Sequence, residues 1–164
     1  MKWSSNTEYI VKRASSKLWI LRRLKNLGAQ TDELVDMYIK QCRSIVEFAA
    51  PAWHGAITGT DRQDIERIQK GALHIILGDK YESYRNALNL TSLESLDDRR
   101  DNLCIKFAKK AERNPKFKKW FKPKPKIYTR QVDDRYWETV ARTGRLRKSP
   151  IPFLTDLLNE NHRK

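Results

Sequence analysis

Apolar residues spaced three and four apart, interrupted by single glycines and prolines, restrict this chain more than any other feature. From about Thr7 to Leu27, Ile10, Ala14, Leu18, Leu21 and Leu24 recur at that spacing and define one face of a helix. Gly28 follows, where a helix commonly ends on a left-handed residue. Thr31 is the expected cap of a second helix, with Asp32 and Glu33 near the positive end of its dipole. Leu34, Val35, Tyr38, Ile39, Cys42, Ile45, Val46 and Ala49 give that helix a broad apolar surface, and Pro51 is expected to end it. PAWHGAITGT then reads as a connection anchored by Trp53. Thr60 and Gln63 have capping-box spacing, and the helix behind them uses Ile65, Ile68, Ala72, Ile75 and Ile76 before Gly78. A shorter helix is expected around Ser83 to Leu88. A long one follows from about Leu96 to Arg113, with Leu103, Cys104, Phe107 and Ala108 as its stripe, closed by Pro115.

Beyond Pro115 the periodicity is lost. NPKFKKWFKPKPK combines six lysines, three prolines and three aromatics, so Asn114 to about Arg130 reads as an extended arm. Asp134 is a candidate cap for a short helix through Trp137 and Val140, and RTGRLRKSP reads as a basic connection. IPFLTDLLNE reads as a last short strand or helical turn docking Phe153, Leu154 and Leu157. Only six glycines and six prolines in 164 residues argue against a sandwich or barrel. The expectation is an all-α chain, four or five helices around one core, with a basic, Pro/Lys/aromatic-rich C-terminal arm. Its division falls between residues 1–113 and 114–164.

The formal charge is +14, from 34 Lys and Arg against 20 Asp and Glu, which makes nucleic acid the first partner to consider. No run of eighteen apolar residues offers a membrane span, and the N-terminus lacks the apolar stretch of a secretory signal. Cys42 and Cys104, on helical patterns among apolar neighbours, read as buried thiols of a reducing compartment, hence cytoplasm or nucleus.

Candidate chemistry is sparse. His54, His74 and His162 are isolated, and with the two cysteines they match no compact zinc spacing. His74 reads as a partly buried packing residue; His54, beside Trp53, is the better candidate for a role. No phosphate-cradling glycine loop or common hydrolase signature occurs. Three carboxylate pairs, Asp61 with Asp64, Asp97 with Asp98 and Asp133 with Asp134, are the arrangement polymerases and nucleases use for divalent metals. The first two pairs sit in the opening turns of helices, where the dipole accounts for them, with Arg99 and Arg100 as natural partners of the second. QVDD at 131–134 lacks flanking apolar strands and reads as a cap. No catalytic set, metal or cofactor is expected.

The basic stretches say more. Between Ile105 and Arg130 there are eleven Lys or Arg and one Glu, interleaved with Phe107, Phe117, Trp120, Phe121 and Tyr128. Lysines meet phosphates as mobile point charges and aromatics stack on bases. Lys116, Lys118, Lys119, Trp120 and Lys122 are therefore candidate nucleic-acid contacts, and Lys12, Arg13, Lys17, Arg22, Arg23 and Lys25 form a second set.

Several stretches together carry a resemblance. KWSSNTEYIVKRASSKLWILRRLKNLG (2–28) resembles the segment that follows the palm in reverse transcriptases of Jockey- and CR1-type non-LTR retrotransposons, where the thumb begins. YIKQCRSIVEFAAPAWHGAIT (38–58) is similar to that family's helix ending in an EYaapvWh pattern, through Glu47, Phe48, Ala49, Pro51, Trp53 and His54. DIERIQKGALHIILG (64–78) resembles its next helix through Glu66, Gln69, Lys70, Ala72 and Ile76, and LTSLESLDDRRDNLCIKFAKKAERNP and RLRKSPIPFLTDLLNE follow in the family's order. The resemblance implies a thumb-like bundle gripping an RNA–DNA hybrid, duplex DNA or RNA. The magnesium-binding palm would lie upstream of Met1, so the chain itself would be no enzyme. Two alternatives stay open. One is an inert or protein-interaction module that self-associates through surface meant for the palm; the other is a truncated gene model of a complete reverse transcriptase.

Overall fold

A computed structural model describes residues 3–124, 135–138, 140 and 142–163. The chain is mostly helical, and no strand occurs among the described residues. It forms two compact units, Met1–Phe48 with Ile57–Arg99, and Ala49–Ala56 with Arg100–Lys164. Among the described residues each unit has a cluster of buried side chains of its own, and the change of composition at Asn114 coincides with no boundary between units.

The first unit opens with α1 (Ser4–Ser15) and α2 (Leu18–Asn26), two helices where the spacing suggested one. The break is a tight turn: the Lys17 N–H donates to the Ala14 carbonyl at 3.0 Å, and the Ser16 hydroxyl donates to the Arg13 carbonyl at 2.8 Å. The apolar face survives it, since Ile10, Ala14, Leu18 and Leu21 are all buried. Gly28, at φ +90°, ends α2 as expected. The Ala29 N–H reaches the Leu24 carbonyl and the Gly28 N–H the Lys25 carbonyl, the paired bonds of a Schellman motif.

Helix α3 (Thr31–Tyr38) is capped one residue earlier than the sequence suggests. Gln30 is the cap residue, and its N–H donates to Glu33 Oε2 at 2.8 Å. A π-helical turn, Ile39–Arg43, leads into α4 (Ser44–Glu47). Glu47 there takes Arg43 at 3.3 Å and Arg99 at 2.9 Å. The long helix α6 (Gly59–Leu77) begins with a capping box two residues before the expected one: Asp61 Oδ2 accepts from the Thr58 N–H, and Thr58 Oγ1 accepts from the Asp61 N–H. It ends at Gly78, as expected. Helix α7 (Tyr84–Thr91) is capped by Ser83, whose hydroxyl accepts from the Asn86 N–H at 3.2 Å.

Leu18, Leu21, Leu34, Tyr38, Leu73 and Ile76 form the heart of this core. Each fully buried leucine or isoleucine contributes about 1.5–3 kcal/mol. A polar chain crosses it. Tyr38 donates to Gln69 Oε1 at 2.6 Å, and Gln69 Nε2 donates to the Glu94 carbonyl at 2.8 Å and to the Tyr84 hydroxyl at 3.1 Å. Tyr84 in turn donates to Glu66, which also accepts the Leu96 N–H at 3.0 Å.

The second unit takes α5 (Ala50–Trp53) and the 3₁₀ turn His54–Ala56 from the middle of the sequence. Pro51, expected to stop a helix, lies in the first turn of α5, where its missing N–H is harmless. The preceding helix ends at Glu47, and Ala49 carries the reversal with φ +52°. Helix α8 (Leu96–Arg113) has the span read from sequence, and from Arg100 onward it belongs to the second unit. The segment expected to be an extended arm folds onto that unit. Lys118–Trp120 is a 3₁₀ turn, and Phe121 is buried with Cys104, Ala108, Ala111, Tyr136, Leu154 and Leu158. Aromatic burial wins over lysine solvation here because the lysines stay wet while the rings go in.

Residues 125–130 of the arm, with Asp133 and Asp134, lie outside the described residues. Tyr136–Glu138 is not helical; Tyr136 instead bridges Pro123, and Asn159 completes its backbone bonding at 3.0 Å on both sides. The basic connection holds α9 (Gly144–Arg147), and the last segment is a full helix, α10 (Pro150–Arg163), not a strand or single turn. Two expected roles also change. His74 is exposed and stacks on Tyr81 at 3.6 Å, whereas His54 is fully buried.

Candidate nucleic-acid interface

The charge is not shared between the units. The second carries 19 Lys and Arg against 7 Asp and Glu, an excess of 12, while the first carries 15 against 13, an excess of 2. Any anion drawn to this protein by long-range attraction is drawn chiefly to the second unit.

Within it, Lys106, Lys109, Lys110 and Arg113 are all exposed on α8. Their spacing of i, i+3, i+4 and i+7 puts them on one helix face along about 10 Å of axis. Cys104, Ala108 and Ala111 occupy the buried side of the same helix. Lys116, Lys118, Lys119 and Lys122 follow directly and are exposed as well. The structure therefore joins the four expected lysines of the arm to a helical stripe that was not singled out from sequence. The signal for the stripe lies in its spacing, which a count of charges does not display.

Trp120, the expected stacking residue, is half-buried. Its ring packs against Phe117 at 4.7 Å and on the core of the second unit. The expected set in the first unit is divided. Lys12, Arg13, Arg22 and Arg23 are exposed, with Arg13 held near the Tyr9 ring and hydroxyl. Lys17 is partly buried, and Lys25 donates to the Ile75 carbonyl at 2.6 Å, so its charge serves the C-terminus of α6.

The carboxylates weighed for metal binding are engaged structurally. Asp61 caps α6, Asp64 pairs with Arg67 at 2.6 Å, Asp97 pairs with Arg62 at 2.7 Å, and Asp98 exchanges hydrogen bonds with Ser95 ahead of α8. Of the two arginines that follow Asp97 and Asp98, Arg99 bonds Glu47 at 2.9 Å and Arg100 bonds His54 at 3.1 Å. Among the described residues no group of three His, Cys, Asp or Glu is placed to hold a metal ion. No helix among them is long and apolar enough to cross a membrane.

His54 is the best-defined polar centre of the second unit. Arg100 Nε donates to His54 Nδ1 at 3.1 Å, and His54 Nε2 lies 2.8 Å from Asp101 Oδ1. The arginine fixes the tautomer: Nδ1 must accept, so Nε2 carries the proton and donates to Asp101. The Arg100 guanidinium also sits 5.9 Å from the Trp53 ring centre. Both ring nitrogens are thus engaged within the second unit. No protein-family model, curated protein or solved structure matches the chain.

Proposed function

We propose that the chain is a non-catalytic nucleic-acid-binding module that grips RNA–DNA hybrid, duplex DNA or RNA through phosphates. The ordered series of segments resembling a retrotransposon reverse-transcriptase thumb and C-terminal region supports that descent. The observation that carries the binding reading is the cationic stripe Lys106, Lys109, Lys110 and Arg113, continued by Lys116, Lys118, Lys119 and Lys122, in a unit with an excess of 12 positive charges. Contacts of this kind read no base sequence, and they weaken with salt as counterions are displaced.

The test is titration of labelled hybrid, duplex and single strands with the purified chain at several salt concentrations. Micromolar or tighter binding is expected, falling roughly as the seventh power of salt if all eight residues engage B-form duplex. Replacing Lys116, Lys118, Lys119 and Lys122 together by Ala should weaken all nucleic acids alike. A folded protein that binds none of them at low salt overturns the reading.

A further inference from the structure

The second unit carries, beside its cations, an apolar groove of about 720 Å³. Its walls come from α5 (Pro51 and Ala52), α8 (Phe107), the 3₁₀ turn (Trp120) and the stretch leading into α10. Three of the unit's exposed large apolar side chains, Phe107, Leu146 and Ile151, open into this one groove, at 37 %, 46 % and 37 % exposure. Apolar surface gathered in one concavity marks a binding site more often than scattered exposed residues do.

The choice of occupant rests on charge and on hydrogen bonding. Exposed cations alternate with the wall residues along the chain: Lys106 precedes Phe107, Lys119 precedes Trp120, Arg145 and Arg147 flank Leu146, and Lys148 precedes Ser149. A second copy of the chain would bring the same positive excess against it. A nucleobase would carry donors and acceptors into walls of proline, alanine, leucine, isoleucine and aromatic carbon that offer them almost no partner. The Ser149 hydroxyl is already used on the Leu146 carbonyl at 2.6 Å. We infer that the groove receives an acidic segment of a partner protein, inserting two or three large apolar side chains while its carboxylates meet the surrounding Lys and Arg. That is the groove-and-anchor mode by which amphipathic segments are commonly recognised. It goes beyond the phosphate-binding reading in using the groove, and it shares Lys106 and Lys119 with that reading.

The probe is a fluorescent synthetic 18-residue peptide with Leu and Trp at helical i, i+3, i+4, i+7 spacing and Glu elsewhere. It is compared with a Lys-for-Glu version, a version with the apolar anchors changed to Ala, a 20-mer of oligothymidine, and oleate. The full chain is expected to bind the acidic peptide with micromolar affinity and each control peptide at least about tenfold more weakly. I151D and L146E should each reduce peptide affinity about tenfold or more, and K119E with K148E should reduce it and flatten its salt dependence. Far-ultraviolet circular dichroism of each variant establishes that it is folded. Equal binding of the Lys-for-Glu peptide, or no peptide binding by the folded chain, overturns the inference. So does oligothymidine or oleate binding that I151D abolishes while the peptide fails to bind, or a dimer that I151D dissociates. Loss of duplex binding with peptide binding intact would instead count against the phosphate-gripping function alone.

Discussion

Lys25 Nζ donates to the main-chain carbonyl of Ile75 at 2.6 Å, fifty residues along the chain, at the point where α6 ends. A lysine that sequence places among phosphate contacts is thereby a tether between α2 and α6. Lys25→Met should lower stability in urea by about 1–2 kcal/mol, the range for a charged donor on a helix C-terminus. Affinity for duplex should stay within about twofold, because one unavailable cation adds nothing to counterion release. A large affinity loss with unchanged stability would assign Lys25 to the interface after all.

The uneven charge of the two units makes a second expectation. Replacing Lys106, Lys109, Lys110 and Arg113 by Ala should reduce the salt exponent for B-form duplex by about 3–4. The equally sized replacement of Lys12, Arg13, Arg22 and Arg23 should change it by about one or less, because that unit's cations are nearly balanced by its own carboxylates. Comparing the two slopes in a single filter-binding series decides which unit carries the contact.

Gln69 ties Tyr38, Tyr84 and the Glu94 carbonyl together inside the first core. Gln69→Leu keeps the volume but leaves the buried Tyr38 hydroxyl and the Glu94 carbonyl without their partner, at an expected cost of about 2–4 kcal/mol. Tyr84→Phe removes a half-buried hydroxyl and should cost less, about 1 kcal/mol. Reversal of that order in denaturant unfolding would mean the Tyr84–Glu66 bond, not Gln69, holds the chain of contacts.

Alkaline pH should lower the stability of the protein progressively. Burial pushes the Cys42 thiol up to about 11 and the Tyr136 phenol up to about 12, the latter aided by Glu112. Tyr38 and Tyr84 are also raised, again first by burial. All four favour the protonated form in the fold, so the unfolded chain loses its protons first. Stability is complete below the unfolded thiol value near pH 8.5. It then falls by up to about 1.4 kcal/mol per pH unit for Cys42 as pH rises toward 11, and more steeply above 10 as the tyrosines join. Cys42→Ala should abolish the early part of the decline. A stability profile flat to pH 10.5 in the unsubstituted chain would contradict the burial of that thiol.

What could be read from sequence follows from how local each signal is. The apolar faces of α1, α2 and α6 were legible because their period is carried by consecutive turns of one chain segment; on α8, Cys104 and Ala108 are buried as expected but Phe107 is exposed. The ends at Gly28 and Gly78 were legible too, since they need only one residue with freedom at positive φ. Starts were misplaced by one or two residues because Gln30 with Glu33 and Thr58 with Asp61 compete with equally plausible caps nearby. The folding of Phe121 and Trp120 onto the second core was not legible, since a Lys- and Pro-rich stretch shows no period and its burial depends on α10, more than thirty residues away. The same holds for His54: nothing local announces that Arg100 and Asp101 close on both ring nitrogens. In the candidate interface the lysines were visible as composition, but the stripe on α8 needed the helix before its members could be grouped.

The ion pair between Arg99 and Glu47 has a consequence for how the chain is tied together. These two side chains sit at the two points where the chain leaves the first unit for the second, 52 positions apart in sequence, yet they meet at 2.9 Å. The second unit needs both Ala49–Ala56 and the residues from Arg100 onward, and bringing two such distant stretches together in an unfolded chain costs about 3.5 kcal/mol of loop entropy. The Arg99–Glu47 contact, made within the first unit, closes that same loop. A chain divided after Arg99 would part His54 from Arg100 and Asp101, so that neither fragment could rebuild the His54 cluster by itself.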